Sequence, residues 1–152
     1  MKILIVEDQP EKAQDIINYL SLIPSVNVDN IIIEESLRSG LMRVVSGDTP
    51  NLVILDMSMP RFTSGANSKL GSEPVSFAGR ELMKQLKIRE IYIPTIVVTQ
   101  YAVFEKDNVT LKDLDLEFKA EFNEFYIGSV YYSSASSDWK IELNKLIGDI
   151  LI

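Results

Sequence analysis

The sequence predicts an α/β fold in which a doubly wound parallel sheet carries helices on both faces, and three observations lead there. Five short β-branched or apolar runs alternate with five longer segments of helical period. The clearest runs, Ile3-Leu-Ile-Val6 and Leu52-Val-Ile-Leu55, are apolar at every position, as in strands buried on both faces. Three of the five runs stop abruptly on a polar residue: Asp8 (after Glu7), Asp56 and Thr99. Right-handed crossovers then distribute the helices over both sides.

Each element follows in order. Lys2 to Val6 is the first strand, and Pro10 suits the first turn of the helix behind it. Ala13, Ile16, Ile17, Leu20 and Ile23 recur at helical spacing until Pro24 stops them. Val26 to Ile33 reads as the second strand. Ser36 caps a helix carrying Leu37, Leu41, Val44 and Val45, which gives way to the turn Gly47-Asp48-Thr49-Pro50. Leu52 to Leu55 is the third strand. The stretch from Met57 to Phe77 is rich in Ser, Gly and Pro and has no sustained period; a helix resumes near Gly79 with Leu82, Met83 and Leu86 inward. Ile93 to Val98 is the fourth strand. Leu111, Leu114, Phe118 and Phe122 mark a helix, Phe125 to Tyr132 the fifth strand. Trp139, Leu143, Leu146, Ile147, Ile150 and Leu151 mark the last helix.

Composition bounds the function. A chain of 152 residues with 46% hydrophobic and 24% charged residues has the makeup of one ordinary globular domain, spanning 1–152. A net charge of −7 argues against a nucleic-acid backbone as main partner. With no Cys and no His, disulfides, thiolate or zinc-histidine sites and Ser-His machinery are excluded. No signal pattern or long apolar segment is present, so the expected setting is cytoplasmic, without membrane insertion.

In a doubly wound sheet, ligands bind beyond the carboxyl ends of the strands. Carboxylates at neighbouring strand ends repel each other, and a hard divalent cation such as Mg²⁺ resolves the conflict while leaving room for phosphate ligands. Asp56 is then placed to attack a phosphoryl donor, and Thr99 to donate its hydroxyl to the transferred group. Each residue also has a plainer reading: Asp8 as the N-cap before Pro10, Asp56 as a turn residue before Pro60, Glu7 as a solvated carboxylate, Thr99 as an ordinary strand end.

Ile3-Leu-Ile-Val-Glu-Asp8, Leu52-Val-Ile-Leu-Asp-Met-Ser-Met-Pro60 and Pro94-Thr-Ile-Val-Val-Thr99 resemble the receiver domain of two-component response regulators. The resemblance implies a flavodoxin-like sheet of order 2-1-3-4-5 and phosphoryl transfer from a sensor histidine kinase or phosphotransfer protein to Asp56. It implies Mg²⁺ held by Glu7, Asp8, Asp56 and the Ser58 carbonyl, with Thr99 as switch hydroxyl. It further implies no enzymatic turnover beyond self-modification and its hydrolysis, and signalling to an output protein near the fourth and fifth helices and fifth strand. Because the chain ends with its fifth helix, a stand-alone receiver is expected.

Several positions depart from that family. Its lysine at the end of the fifth strand falls on Tyr132, whose hydroxyl offers a neutral hydrogen bond instead, with Lys140 and Lys106 as alternative cations. The family's aromatic falls on Ser129 or Gly128, and its small residue after the hydroxyl on Gln100. Roughly 15 residues are inserted around 61–77, a segment expected to be mobile or partner-ordered. A degenerate receiver that acts as a phosphorylation-independent interaction module is therefore the alternative. An aspartyl-nucleophile phosphatase would need a carboxylate where Ser58 stands, and a flavin carrier a phosphate loop where Glu7-Asp8-Gln9-Pro10 stands.

Overall fold

The computed structural model describes residues 1–61, 74–75, 77–101, 103–104 and 109–151. Its elements are β1 (Ile3–Val6), α1 (Pro10–Leu20), β2 (Ile31–Glu34), α2 (Leu37–Val45), β3 (Leu52–Leu55), α3 (Ala78–Ile88), β4 (Thr95–Thr99), α4 (Leu111–Glu121), β5 (Tyr126–Tyr131) and α5 (Asp138–Leu151). All five strands pair in parallel in the order β2-β1-β3-β4-β5, as expected from the resemblance. Two short antiparallel pairs stand apart from the sheet, Met59–Pro60 with Pro74–Val75 and Val103–Phe104 with Val109–Thr110.

Strand alternation splits the core in two. Leu4, Val6, Val53, Leu55 and Val97 face α2, α3 and α4, meeting Val44, Leu82, Leu86, Leu114 and Phe118. Ile3, Ile5, Ile54, Ile96 and Val98 face α1 and α5, meeting Ile16, Leu20, Trp139, Leu143 and Ile147. Helices therefore cover both faces, and β1 and β3 are buried throughout.

The fourth and fifth strands start at Thr95 rather than Ile93 and at Tyr126 rather than Phe125, and the departures from the sequence reading that bear most on the site lie at β2 and α1. The second strand starts at Ile31 rather than Val26, because the Asn27 side chain accepts from the Asp29 N–H at 3.0 Å and winds Val28–Asn30 into a 3₁₀ turn. Helix α1 ends at Leu20 rather than running to Ile23: the N–H groups of Leu22 and Ile23 bond to the carbonyls of Tyr19 and Leu20, tightening the chain before Pro24. Asp8 is not the cap of α1; Gln9 holds that position and makes no side-chain cap bond. This leaves the Asp8 carboxylate available to the site. At α2 the expected Ser36 cap is present, reciprocated by Ser39 in a capping box.

Gly79 fixes α3 against the end of β3. Its N–H donates to the Met57 carbonyl at 3.1 Å, and a Cβ there would sit 2.5 Å from the Asp56 carbonyl oxygen and 2.8 Å from Leu55 Cδ1. Only glycine lets the helix start this close to the Asp56 backbone. The inserted segment expected around 61–77 lies outside the described residues apart from Arg61, 74–75 and Phe77. Among the described residues, no helix is long and apolar enough to cross a membrane.

Candidate functional site

The sheet register assembles the site. The Asp56 N–H donates to the Val6 carbonyl at 3.1 Å, which seats the end of β3 beside the Glu7-Asp8 turn after β1. Leu55 pairs with Val97, so Asp56 and Thr99 leave neighbouring strands at the same end of the sheet. As a result, carboxylate oxygens of Glu7, Asp8 and Asp56 lie within 4.8 Å of one another. The Met57 N–H donates to Asp56 Oδ1 at 2.8 Å, and the Thr99 hydroxyl, which accepts from the Tyr101 N–H at 3.3 Å, lies near enough to the Asp56 carboxylate to favour its ionised form.

A fourth charged residue completes the cluster. Lys12, from the first turn of α1, places its Nζ 2.5 Å from Glu7 Oε1 and 3.3 Å from Asp56 Oδ1. It also donates to the Val98 carbonyl at 2.6 Å, so its three ammonium protons meet three acceptors. Lys12, Glu7 and Asp56 are each only 2% exposed and Thr99 is fully buried, whereas Asp8 is half-buried. A lysine sealed this completely is retained only when paired and hydrogen-bonded, as here.

Burial dominates the electrostatics. It pushes Glu7 up to about 8 against the pull of Lys12, with the Asp56 charge adding to the rise. Burial likewise raises Asp56, opposed by Lys12, the Met57 N–H and the Thr99 hydroxyl. Three carboxylates against one ammonium leave two negative charges uncompensated when all are ionised. A set of hard oxygen donors with that surplus fits a divalent cation of the Mg²⁺ or Mn²⁺ kind.

Glu7, Asp8, Asp56 and Thr99 are thus brought together as the sequence implied. Ser58 is half-buried two residues beyond Asp56, at the entrance to the Met59–Pro60 strand. The residues offered as replacement cations or donors are elsewhere. The Tyr132 hydroxyl donates to Asp15 of α1, and burial followed by that bond pushes it up to about 12. The Lys140 ammonium sits 5.6 Å from the Trp139 ring centroid, and Lys106 lies outside the described residues. Gln100 turns its amide to the Tyr101 hydroxyl at 3.2 Å.

Lys12 was the residue that sequence reasoning missed. A signal for it existed: Lys12, Ile16 and Leu20 stand at i, i+4 and i+8, so the lysine opens the inner stripe of α1. A charge at a core position of a helix that begins beside an acidic turn calls for a partner there.

No family model matches the chain. It is 34% identical over 148 residues to the uncharacterized protein y4jR of Sinorhizobium fredii, covering 95% of each chain. It is 25% identical to the Detocs response regulatory protein DtcB of Enterobacter cloacae over 99% of this chain and 100% of that one. Among solved structures, the Mn(2+)-bound form of response regulator Rcp1 superposes with a TM-score of 0.59 at 17% identity, covering 95% of this chain and 89% of that one. The chain belongs to one family with y4jR, it is similar to the response regulatory protein DtcB over its whole length, and its fold is that of response-regulator receiver domains.

Proposed function

We propose that this chain accepts a phosphoryl group on Asp56 from a histidine kinase or phosphotransfer protein and passes the signal on by contact with an output protein. The observation that carries this reading is the convergence of Glu7, Asp8, Lys12 and Thr99 on the Asp56 carboxylate. Asp56 is the nucleophile. Asp8, Asp56 and the Ser58 carbonyl hold Mg²⁺, with Glu7 beside them as both a supply of negative charge and the anchor of Lys12. When bound, Mg²⁺ neutralises charge on the transferring group and aligns it. The Thr99 hydroxyl, beside the Asp56 carboxylate, donates to a phosphoryl oxygen. No external substrate is turned over; the chemistry is self-modification and its hydrolysis, in a cytoplasmic setting.

Intact mass after incubation with Mg²⁺ and acetyl phosphate tests this. One added phosphate that vanishes in Asp56→Asn supports it, and no label from any small donor or partner kinase refutes it. One observation favours the rival, a phosphorylation-independent interaction module: Asp56 is only 2% exposed and already paired. The same experiment separates the two.

A further inference from the structure

We propose that Lys12 is the cation that pairs with the phosphoryl group on Asp56, supplied from helix α1 rather than from the end of a strand. This assignment rests on the phosphoryl-acceptor reading of the site. Among the described residues, Lys12 is the one cation in ion-pair contact with Asp56. Its contact there is the longest of its three, 3.3 Å against 2.5 Å to Glu7 and 2.6 Å to Val98. The ammonium is therefore anchored by Glu7 and the Val98 carbonyl while remaining next to the nucleophile. Phosphorylation replaces one carboxylate charge by a group carrying up to two charges and three acceptor oxygens. An ammonium already at the carboxylate gains a stronger partner without crossing the site.

The surroundings hold it in that position. Val98, its carbonyl anchor, directly precedes Thr99 in β4, so ammonium and hydroxyl converge on Asp56 from one strand end. The Tyr132 ring lies 5.7 Å from the Lys12 ammonium, and the Tyr132 hydroxyl bonds to Asp15, three residues after Lys12 on the same helix. That link ties α1 to the chain just beyond β5. At that position the chain carries Tyr131 and Tyr132, neither of them a cation, and the Tyr132 ring lies against an ammonium delivered from α1.

In the transfer step one Asp56 carboxylate oxygen bonds to phosphorus while the bond from phosphorus to the donor's leaving atom breaks, an imidazole nitrogen of a phosphohistidine or an oxygen of acetyl phosphate. The leaving group departs with the bonding pair, as acetate from acetyl phosphate. Lys12 gives up no proton; it remains an ammonium and stabilises the negative oxygens as they develop.

The test compares labelling of the full chain by acetyl phosphate and Mg²⁺ in the wild type, Lys12→Met and Lys12→Met/Glu7→Gln. The double variant removes a matching negative charge, so the cluster stays balanced if the single variant folds poorly. Mg²⁺ affinity is measured in parallel by calorimetry. Loss of one charge-assisted contact predicts labelling slower by about tenfold to a hundredfold in the variants. In Lys12→Met, Mg²⁺ affinity should be undiminished or higher, since a competing cation is gone. Labelling of wild type and both variants at equal rates overturns the role of Lys12 and leaves the acceptor reading standing. Slower labelling accompanied by a matching fall of Mg²⁺ affinity in Lys12→Met also overturns it, because the lysine would then only support the metal site. An unlabelled wild type overturns both.

Discussion

Without metal, the stability of this protein should fall as pH rises from about 5 to 8, with Glu7 as a principal cause. In the unfolded chain Glu7 titrates near its ordinary value of 4.5, and in the folded protein burial moves it to about 8. Between those values the folded state keeps a proton that the unfolded state has released. The stabilisation from that proton is fully present below 4.5 and is lost as pH climbs through 8. One proton of difference sets a slope of at most about 1.4 kcal/mol per pH unit. Across three units that is a ceiling of roughly 4 kcal/mol. A domain's whole stability is about 5–15 kcal/mol, so the slope is well within reach of measurement. Asp56 is raised by the same cause and acts in the same sense.

The assay is urea unfolding in EDTA at several values between pH 5 and 8.5, for the wild type and Glu7→Gln. The variant retains an oxygen acceptor for Lys12 but cannot titrate, so its profile should be flatter. Mg²⁺ should stabilise the wild type most at the alkaline end, where both carboxylates are ionised and their mutual repulsion is greatest. Parallel profiles for the two proteins, or a wild type that gains on the variant as pH rises, would refute the reasoning.

Asp8→Ala should weaken Mg²⁺ binding in calorimetry by about tenfold or more, because it removes the half-buried carboxylate that faces solvent and is left uncapped by α1; unchanged binding would place the metal elsewhere. Gly79→Ala should lower the urea midpoint by an amount equivalent to about 1–3 kcal/mol despite alanine's better helix propensity. The new Cβ would press on the rigid Asp56 carbonyl at 2.5 Å rather than on a side chain that could turn aside.

The strands and their order were legible because local pattern determines them. Ile3 to Val6 and Leu52 to Leu55 are apolar at every position, and only a sheet covered on both sides uses such runs. The second strand was harder to place: Val26 and Val28 look like strand residues, but Asn27 diverts the chain through a local bond that no apolar period registers. The aspartates and Thr99 were legible for a different reason. In a parallel sheet the carboxyl ends of the strands gather at one edge, so polar residues that end apolar runs become neighbours without any pairing being specified.

Lys12 obeys neither rule, and that explains why reasoning from strand ends looked for a cation near Tyr132. A strand end can present an ammonium to Asp56, but so can the first turn of the helix that leaves the acidic turn. What selects between them is three-dimensional: the Val98 carbonyl at the end of β4 accepts from Lys12, and Glu7 is held by the Gln9 N–H at 3.1 Å so that its other oxygen meets the ammonium. Tyr132 then lies against the Lys12 ammonium and donates to Asp15 on the same helix. The tyrosine and the lysine therefore form one arrangement. A residue that breaks an expected motif at one strand end is a reason to examine every helix that begins at the same edge for an inward-facing charge.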